Sequence, residues 1–296
     1  MCHSAIHRAR APVKRSGLLL VLAVACAPSA PSTDGVTTLG FAADAPLGGE
    51  IYSCFSFPRS PDEWVRSVRW EVPASGALSV HHATLYAVPS WDRPDGAECW
   101  DMPGATGFAV WVPGVSPLVL PAGMGLTIPK DSTRWVVQLH AFRSAAGAPE
   151  RVSAIVETTA QRPAVAAGWA VIQAPVPAIR PHMTEQSSGE CRALGEVHVG
   201  VAWPHMHRAG KEFHGQVIRG DGSTVSLVDV PTLDVGRQVA YTTSVDVHVG
   251  DRVRSTCVWD NVTGDYVLPG PLATDEMCHQ AILVWPVEKS RWDCGP

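Results

Sequence analysis

Residues 197–203 run Val197-His198-Val199-Gly200-Val201-Ala202-Trp203, with an apolar residue at every second position. A period of two is typical of a β-strand that buries one face. The chain continues Pro204-His205-Met206-His207-Arg208-Ala209-Gly210. If this segment is extended, His205 and His207 point the same way, and two imidazoles on one face can share a metal ion. An H-x-H pair is weak evidence by itself, because a solvated strand face accounts for a lone example about as often.

The same alternation recurs in both halves of the chain and predicts an all-β protein. Residues 67–72, 133–140 and 245–249 alternate in this way. Proline (25 residues) and glycine (26 residues) are frequent, which favours short strands joined by turns. We expect two antiparallel β-sandwich domains, at residues 42–160 and 165–296.

Composition narrows the class of protein. The 296 residues are 46% hydrophobic and 17% charged, which is typical of a globular protein. The net charge is −5, so the sequence offers no basic surface and we expect no nucleic-acid partner.

The first 25 residues predict a signal peptide. Four basic residues, the last of them Arg15, precede the short apolar run 17–25. Ala23-Val24-Ala25-Cys26 resembles a bacterial lipoprotein cleavage site, which predicts lipidation of Cys26, with plain secretion as the alternative. Residues 26–41 are small and proline-rich at their start, and we expect a flexible tether there. The expected location is the periplasm or the cell surface, with the lipid on Cys26 holding the protein to a bacterial membrane.

Six cysteines follow Cys26, and an even number in an exported chain indicates three disulfides. Six cysteines allow 15 connectivities, so the count leaves the pairing open.

Candidate metal ligands divide evenly between the two halves. The first half offers His81, His82 and His140, and the second offers His205 and His207 together with Met277. A thioether favours copper and argues against zinc, because soft sulfur stabilises Cu(I). Adjacent strand residues face opposite ways, so His81 and His82 need a bulge, a strand end or the nearer ring nitrogen to reach one metal.

The order of these motifs resembles a known family. A His-His pair, Gln138-Leu139-His140, the H-x-H pair and Asp275-Glu276-Met277-Cys278 follow one another as in the copper type II, ascorbate-dependent monooxygenases. This is the family of peptidylglycine α-hydroxylating monooxygenase and dopamine β-monooxygenase, and the resemblance extends from about Ile51 to Cys294.

The resemblance implies a fold and a set of site residues. The fold would be two jelly-roll domains whose copper sites face each other across an open cleft. His81, His82 and His140 would bind an electron-transfer copper, with Gln138 nearby. His205, His207 and Met277 would bind the oxygen-binding copper. The implied disulfides are Cys54–Cys99, Cys191–Cys294 and Cys257–Cys278.

The implied reaction is hydroxylation of an sp³ carbon of a small molecule or peptide by O₂, with ascorbate or another donor supplying electrons to the two coppers. Three positions depart from the peptidylglycine enzyme. Trp203 replaces the arginine that anchors a carboxylate, while His279 and Ala281 replace an asparagine and a tyrosine. Loss of the arginine argues against C-terminal glycine peptides. Trp203 fits an apolar substrate wall and a core residue equally well.

Two other functions stay open on the sequence. A non-catalytic copper-binding or copper-delivery lipoprotein needs no substrate pocket, which would explain residues 203, 279 and 281. A zinc hydrolase is disfavoured because the chain has no H-E-x-x-H motif and methionine is an unusual zinc ligand.

Overall fold

Short strands with alternating burial form almost all of the regular structure in the computed structural model. It describes residues 35–59, 64–73, 78–99, 102, 104–270, 272 and 274–295. Within those ranges the only helical element is a single 3₁₀ turn, Val287–Lys289, so the predicted all-β class is confirmed. The strands of the first half are β1 (Gly35–Ala43), β2 (Glu50–Pro58), β3 (Trp64–Glu71), β4 (Leu78–Val88), β5 (Ala97–Glu98), β6 (Thr106–Trp111), β7 (Leu118–Val119), β8 (Met124–Leu126), β9 (Arg134–Arg143) and β10 (Glu150–Thr159).

The second half carries nine further strands in the described residues. They are β11 (Val165–Gln173), β12 (Thr184–Ala193), β13 (Val197–His205), β14 (Gly210–Ile218), β15 (Thr224–Val230), β16 (Tyr241–Val247), β17 (Arg252–Asp260), β18 (His279–Trp285) and β19 (Trp292–Asp293).

One long sheet runs through both halves, and each half lays a smaller sheet against it. The described strands of the long sheet follow the order β1-β10-β3-β8-β11-β18-β13-β16, with β7 beside β3. The halves join where β8 pairs in parallel with β11, from Val165 opposite Met124 to Ala167 opposite Leu126. The smaller sheets are β5-β2-β9-β4-β6 and β15-β14-β17-β12-β19. In the second half the two layers form a β-sandwich.

Each sandwich encloses an apolar core built from alternate strand residues. In β9, Trp135, Val137 and Leu139 are buried in the first core, as the alternation predicts. Residues such as Val199, Phe213 and Trp259 fill the second core. Leu283 of β18 packs into the first core, so the halves share apolar contacts as well as a sheet.

The expected tether of residues 26–41 is wrong from Gly35 onward. Residues Gly35–Ala43 form β1, which pairs with β10 along its whole length. Leu39, Phe41 and Ala43 are buried at alternate positions, and this burial stabilises a strand where small residues suggested a flexible chain. The described strands of the first half therefore begin at Gly35.

The signal peptide, Cys26 and residues 26–34 of the tether lie outside the described residues. In the part of the chain that is described, no helix is long and apolar enough to cross a bilayer.

Candidate metal centre

A β-bulge brings the two adjacent histidines of the first half to one side of their strand. His81 and His82 lie on β4, and His82 is paired with His140 on β9. The register between β4 and β9 shifts between Val80 and His82, which is the irregularity that two adjacent ligands require. Strand pairing thus brings His140 to the adjacent pair, although it lies 59 residues after His81 in the sequence.

The three imidazoles present the same ring nitrogen to one another. The Nδ1 atom of His81 lies 3.2 Å from Nδ1 of His82 and 3.1 Å from Nδ1 of His140. Two nitrogens bound at about 2.0 Å to a tetrahedral metal stand about 3.3 Å apart, so this spacing fits a metal ion. Among the described residues this is the one group of at least three His, Cys, Asp or Glu side chains whose ligand atoms all lie within 4.8 Å.

Burial favours the neutral form of these imidazoles, and the neutral form is the one that binds a metal. It lowers the pKa of His81 and, more strongly, that of His82. The pKa of His140 falls to about 4, mainly through burial, although Glu50 opposes the change.

Two residues of β2 fix the orientation of His140. The ring of Tyr52 stacks on the ring of His140 with centroids 3.9 Å apart and planes 16° apart. The carboxylate of Glu50 accepts a hydrogen bond from Nε2 of His140. A proton held on Nε2 leaves Nδ1 as the free lone pair, in the usual manner of a carboxylate behind a metal-binding histidine.

The second group of histidines lies where β13 ends. His205 is the last residue of β13, and His207 follows in the loop to β14, with ring centroids 5.1 Å apart. Nδ1 of His207 lies 3.1 Å from the carbonyl oxygen of Asp275 and can donate to it. Burial lowers the pKa of His205 to about 3 and also lowers the pKa of His207.

A buried carboxylate holds this loop in place. Glu276 accepts hydrogen bonds from the backbone amides of His207 (3.0 Å) and Ala209 (2.6 Å) and from Nε1 of Trp259 (3.0 Å). Gln238 holds the backbone of Met206, the residue between the two histidines. Its Oε1 accepts from the amide of Met206 and its Nε2 donates to the carbonyl oxygen of Met206, both at 2.8 Å.

The structure brings Met277 to the same loop through Glu276. The backbone amide of Met277 lies 3.3 Å from the Glu276 oxygen that also accepts from His207. On its other side, Cys278 forms a disulfide with Cys257 of β17. Met277 is partly buried and fixed at both neighbouring positions.

A cavity of about 330 Å³ is lined by histidines of both halves of the chain. His81, His82 and His140 line it from the first half, and His207 and Arg208 line it from the second. The proximity also appears in the electrostatics, because His207 contributes to lowering the pKa of both His82 and His140.

The remaining predicted site residues, His205 and Met277 included, are not among the described residues that line this cavity. Gln138 donates a hydrogen bond to the carbonyl oxygen of Cys99 at 2.8 Å. Trp203 donates from Nε1 to the carbonyl oxygen of Gln238 at 2.6 Å and pairs across the sheet with Ala281. His279 pairs with His205, and their ring centroids are 6.3 Å apart.

Among the described cysteines the disulfides are Cys54–Cys99, Cys191–Cys294 and Cys257–Cys278, the pairs that the family resemblance implied. Three disulfides are typical of an oxidising, exported environment.

Sequence reasoning missed the polar residues that support the histidines. Glu50 stands two positions before Tyr52, so the strand period puts both on one face, and this signal could have identified it. Glu276 and Arg208 adjoin predicted ligands. Gln238 reaches Met206 from 32 residues away and has no signal in the sequence.

Fold and site define an all-β protein with a cluster of imidazoles that could hold a metal ion and a C-terminal β-sandwich. Residues 168–294 match the copper type II ascorbate-dependent monooxygenase, C-terminal domain. The chain thus contains the C-terminal domain of the copper type II, ascorbate-dependent monooxygenase family, as the motifs indicated.

Other comparisons add little. No curated protein matches the chain. Among solved structures, a chain from the structure of infectious bursal disease virus Gt strain has 12% sequence identity to this chain. The match covers 88% of this chain and 72% of that chain, with a TM-score of 0.23. An allantoicase structure is 11% identical over 75% of this chain and 81% of that chain, with a TM-score of 0.17. Scores this low carry no argument.

Proposed function

We propose that this protein is a copper- and ascorbate-dependent monooxygenase that hydroxylates an sp³ C–H bond of a small molecule or peptide with O₂. The observation that carries the proposal is the cavity lined by His81, His82 and His140 from one half and by His207 from the other. The family of residues 168–294 supports copper as the metal and ascorbate as the reductant.

Two copper ions would be held by residues of different character. His81, His82 and His140 offer three Nδ1 atoms at a spacing suited to one ion. His205, His207 and Met277 offer two imidazoles and a thioether, a set that favours Cu(I) over zinc. When bound, copper supplies the one-electron chemistry that links ascorbate to the reduction of O₂.

The protein's own residues prepare both positions. Glu50 holds His140 with Nδ1 facing the cluster. Glu276 binds the backbone amides of His207 and Met277, so the imidazole and the thioether keep a fixed relation. The lowered pKa values of the histidines mean that a metal need not displace protons from them at neutral pH.

Strand order supports two jelly-roll domains. Counting β7 and β8 as one strand and omitting the short β5 and β19, each half puts its first, eighth, third and sixth strands in one sheet. The second, seventh, fourth and fifth strands form the other sheet. Eight strands in two sheets with this crossing order are a jelly roll.

Export and a lipid on Cys26 belong to the same proposal and rest on the sequence of residues 1–26. Expression in a bacterium should give a membrane-bound product whose mass includes a diacylglyceryl group, and Cys26→Ser should release it. A soluble wild-type product would contradict lipidation of Cys26 and support secretion without a lipid anchor.

Copper stoichiometry tests the proposed sites. We expect two coppers per chain after loading and removal of excess metal, with one weakened in His140→Ala and the other weakened in Met277→Ala. Gln161→Ala, in the turn between the halves, is a control that should keep both. One copper or none in the parent would contradict the two-site proposal.

Activity is the second test. Ascorbate and O₂ should be consumed together only when both coppers and a substrate are present, and Met277→Ala should abolish this uptake with the fold intact. Transfer of Cu(I) to a partner without substrate-dependent uptake would instead indicate a copper-delivery protein.

A further inference from the structure

Arg208 is a cation whose side chain lines the cavity. It follows His207 in a tight turn, closed by a 3.0 Å hydrogen bond from the amide of Gly210 to the carbonyl oxygen of His207. Its charge helps to lower the pKa of His81 on the opposite half. Within the described residues, no hydrogen bond or ion pair engages its guanidinium.

An arginine at a cavity is suited to an anion. The planar guanidinium offers paired N–H donors that match a carboxylate. Two carboxylates have other contacts: Glu50, which lines the cavity, accepts from His140, and Asp275, whose carbonyl oxygen lies 3.1 Å from His207, accepts from the amide of Leu272. A carboxylate on a ligand would therefore meet Arg208 with little competition from the protein.

Phe142 supplies an apolar wall to the same cavity. It lies on β9 two residues beyond His140, hence on the same face of the strand, and 44% of its surface is exposed. Val235 and Met206 line the cavity from the second half. An exposed aromatic ring beside a cation indicates a ligand that carries both an apolar group and a negative charge.

We propose that this cavity binds a small carboxylate with an apolar or aromatic group, with the carboxylate on Arg208 and the apolar group on Phe142. The inference rests on the proposed function in one respect, since it names the substrate class of the same site. A volume of about 330 Å³ suits a small molecule. Such a ligand would lie beside His207, with its C–H bonds close to the metal position.

Binding can be measured without copper, so that a carboxylate cannot be retained by the metal. The whole metal-free chain is titrated with phenylacetate and with phenylacetamide, which has the same shape and no charge. We expect phenylacetate to bind at least tenfold more tightly. Arg208→Gln should remove this difference, and Phe142→Ser should weaken both probes. Arg162→Gln, an exposed arginine outside the cavity wall, should behave as wild type.

Equal affinity for the two probes, or a preference that survives Arg208→Gln, would overturn the inference. Ascorbate is titrated in parallel, because it is also an anion. If ascorbate alone depends on Arg208, the cation serves the reductant and the substrate proposal fails.

Copper content separates this test from that of the proposed function. We expect Arg208→Gln to bind as much copper as wild type, because the guanidinium is not a ligand. A chain that discriminates the probes but binds no copper would retain the anion site and lose the monooxygenase.

Discussion

Glu50 supports the proposed copper site of His81, His82 and His140 without being one of its candidate ligands. Its carboxylate holds the proton on Nε2 of His140 and raises the basicity of the ring. We predict that Glu50→Gln weakens copper binding by the His81, His82 and His140 site about 10- to 100-fold, the usual cost of losing such a carboxylate. Competition with a copper chelator measures the affinity of each site.

The matched control is Glu71→Gln, an exposed carboxylate that pairs with Arg69 on β3. It should leave both affinities unchanged. If Glu50→Gln does the same, the hydrogen bond to His140 has no influence on the metal.

At this scale the sequence offered candidate ligands and missed the residues that support them. His81, His82 and His140 were identified from motifs whose order resembles a family. Glu50 and Tyr52 matter because β2 pairs with β9, which sets Tyr52 opposite His140. That register depends on side-chain packing between strands about 90 residues apart, so no local pattern contains it.

Among the elements, the loop between β13 and β14 is the one most dependent on a single buried group. Glu276 accepts from two of its amides, and its own pKa is raised because it is buried. We predict that Glu276→Gln lowers the free energy of unfolding by about 1–3 kcal/mol, because the new amide N–H₂ would face backbone donors. Denaturant titration measures this change.

The same variant should weaken copper binding at His205, His207 and Met277 while sparing the first site. Glu196→Gln, on an exposed position before β13, is the control for loss of a charge. Loss of stability with both copper sites intact would mean that Glu276 supports only the fold.

Strand alternation predicted β3, β9, β13 and β16 but not β1. The error has a physical cause: Gly35 and the threonines after it resemble the small residues of a tether, and the partner that makes this segment a strand is β10, more than 100 residues later. Local periodicity identifies a strand, whereas its partner is decided by the rest of the sheet.

The whole molecule should respond to acid through its histidines. The pKa of His140 is lowered to about 4 and that of His205 to about 3, while both return to about 6.5 in the unfolded chain. Between these values the unfolded chain binds more protons than the folded one, so stability is lost as the pH falls from about 6.5 towards 4. Urea titrations of the metal-free protein at several pH values measure the change.

His140→Gln should reduce this pH dependence, because the variant has one fewer lowered group. His182→Asn is the control: His182 is exposed, and its positive φ of 55° suits asparagine. Stability that is constant or rises on acidification would contradict the prediction.

Because β8 pairs in parallel with β11, the distance between the two groups of histidines depends on the register of these two strands. Proteins whose halves are connected only by a linker can open about a hinge, and the distance between their sites then varies with each opening. Here hydrogen bonds flank the junction, from Val165 to Gly123 and from Thr127 to Ala167, both at 3.1 Å. A slip of two residues along this ladder would carry one half about 7 Å past the other. The β8–β11 pairing therefore sets the separation of the two groups of histidines. That separation could change only if the strands at the junction shifted against one another.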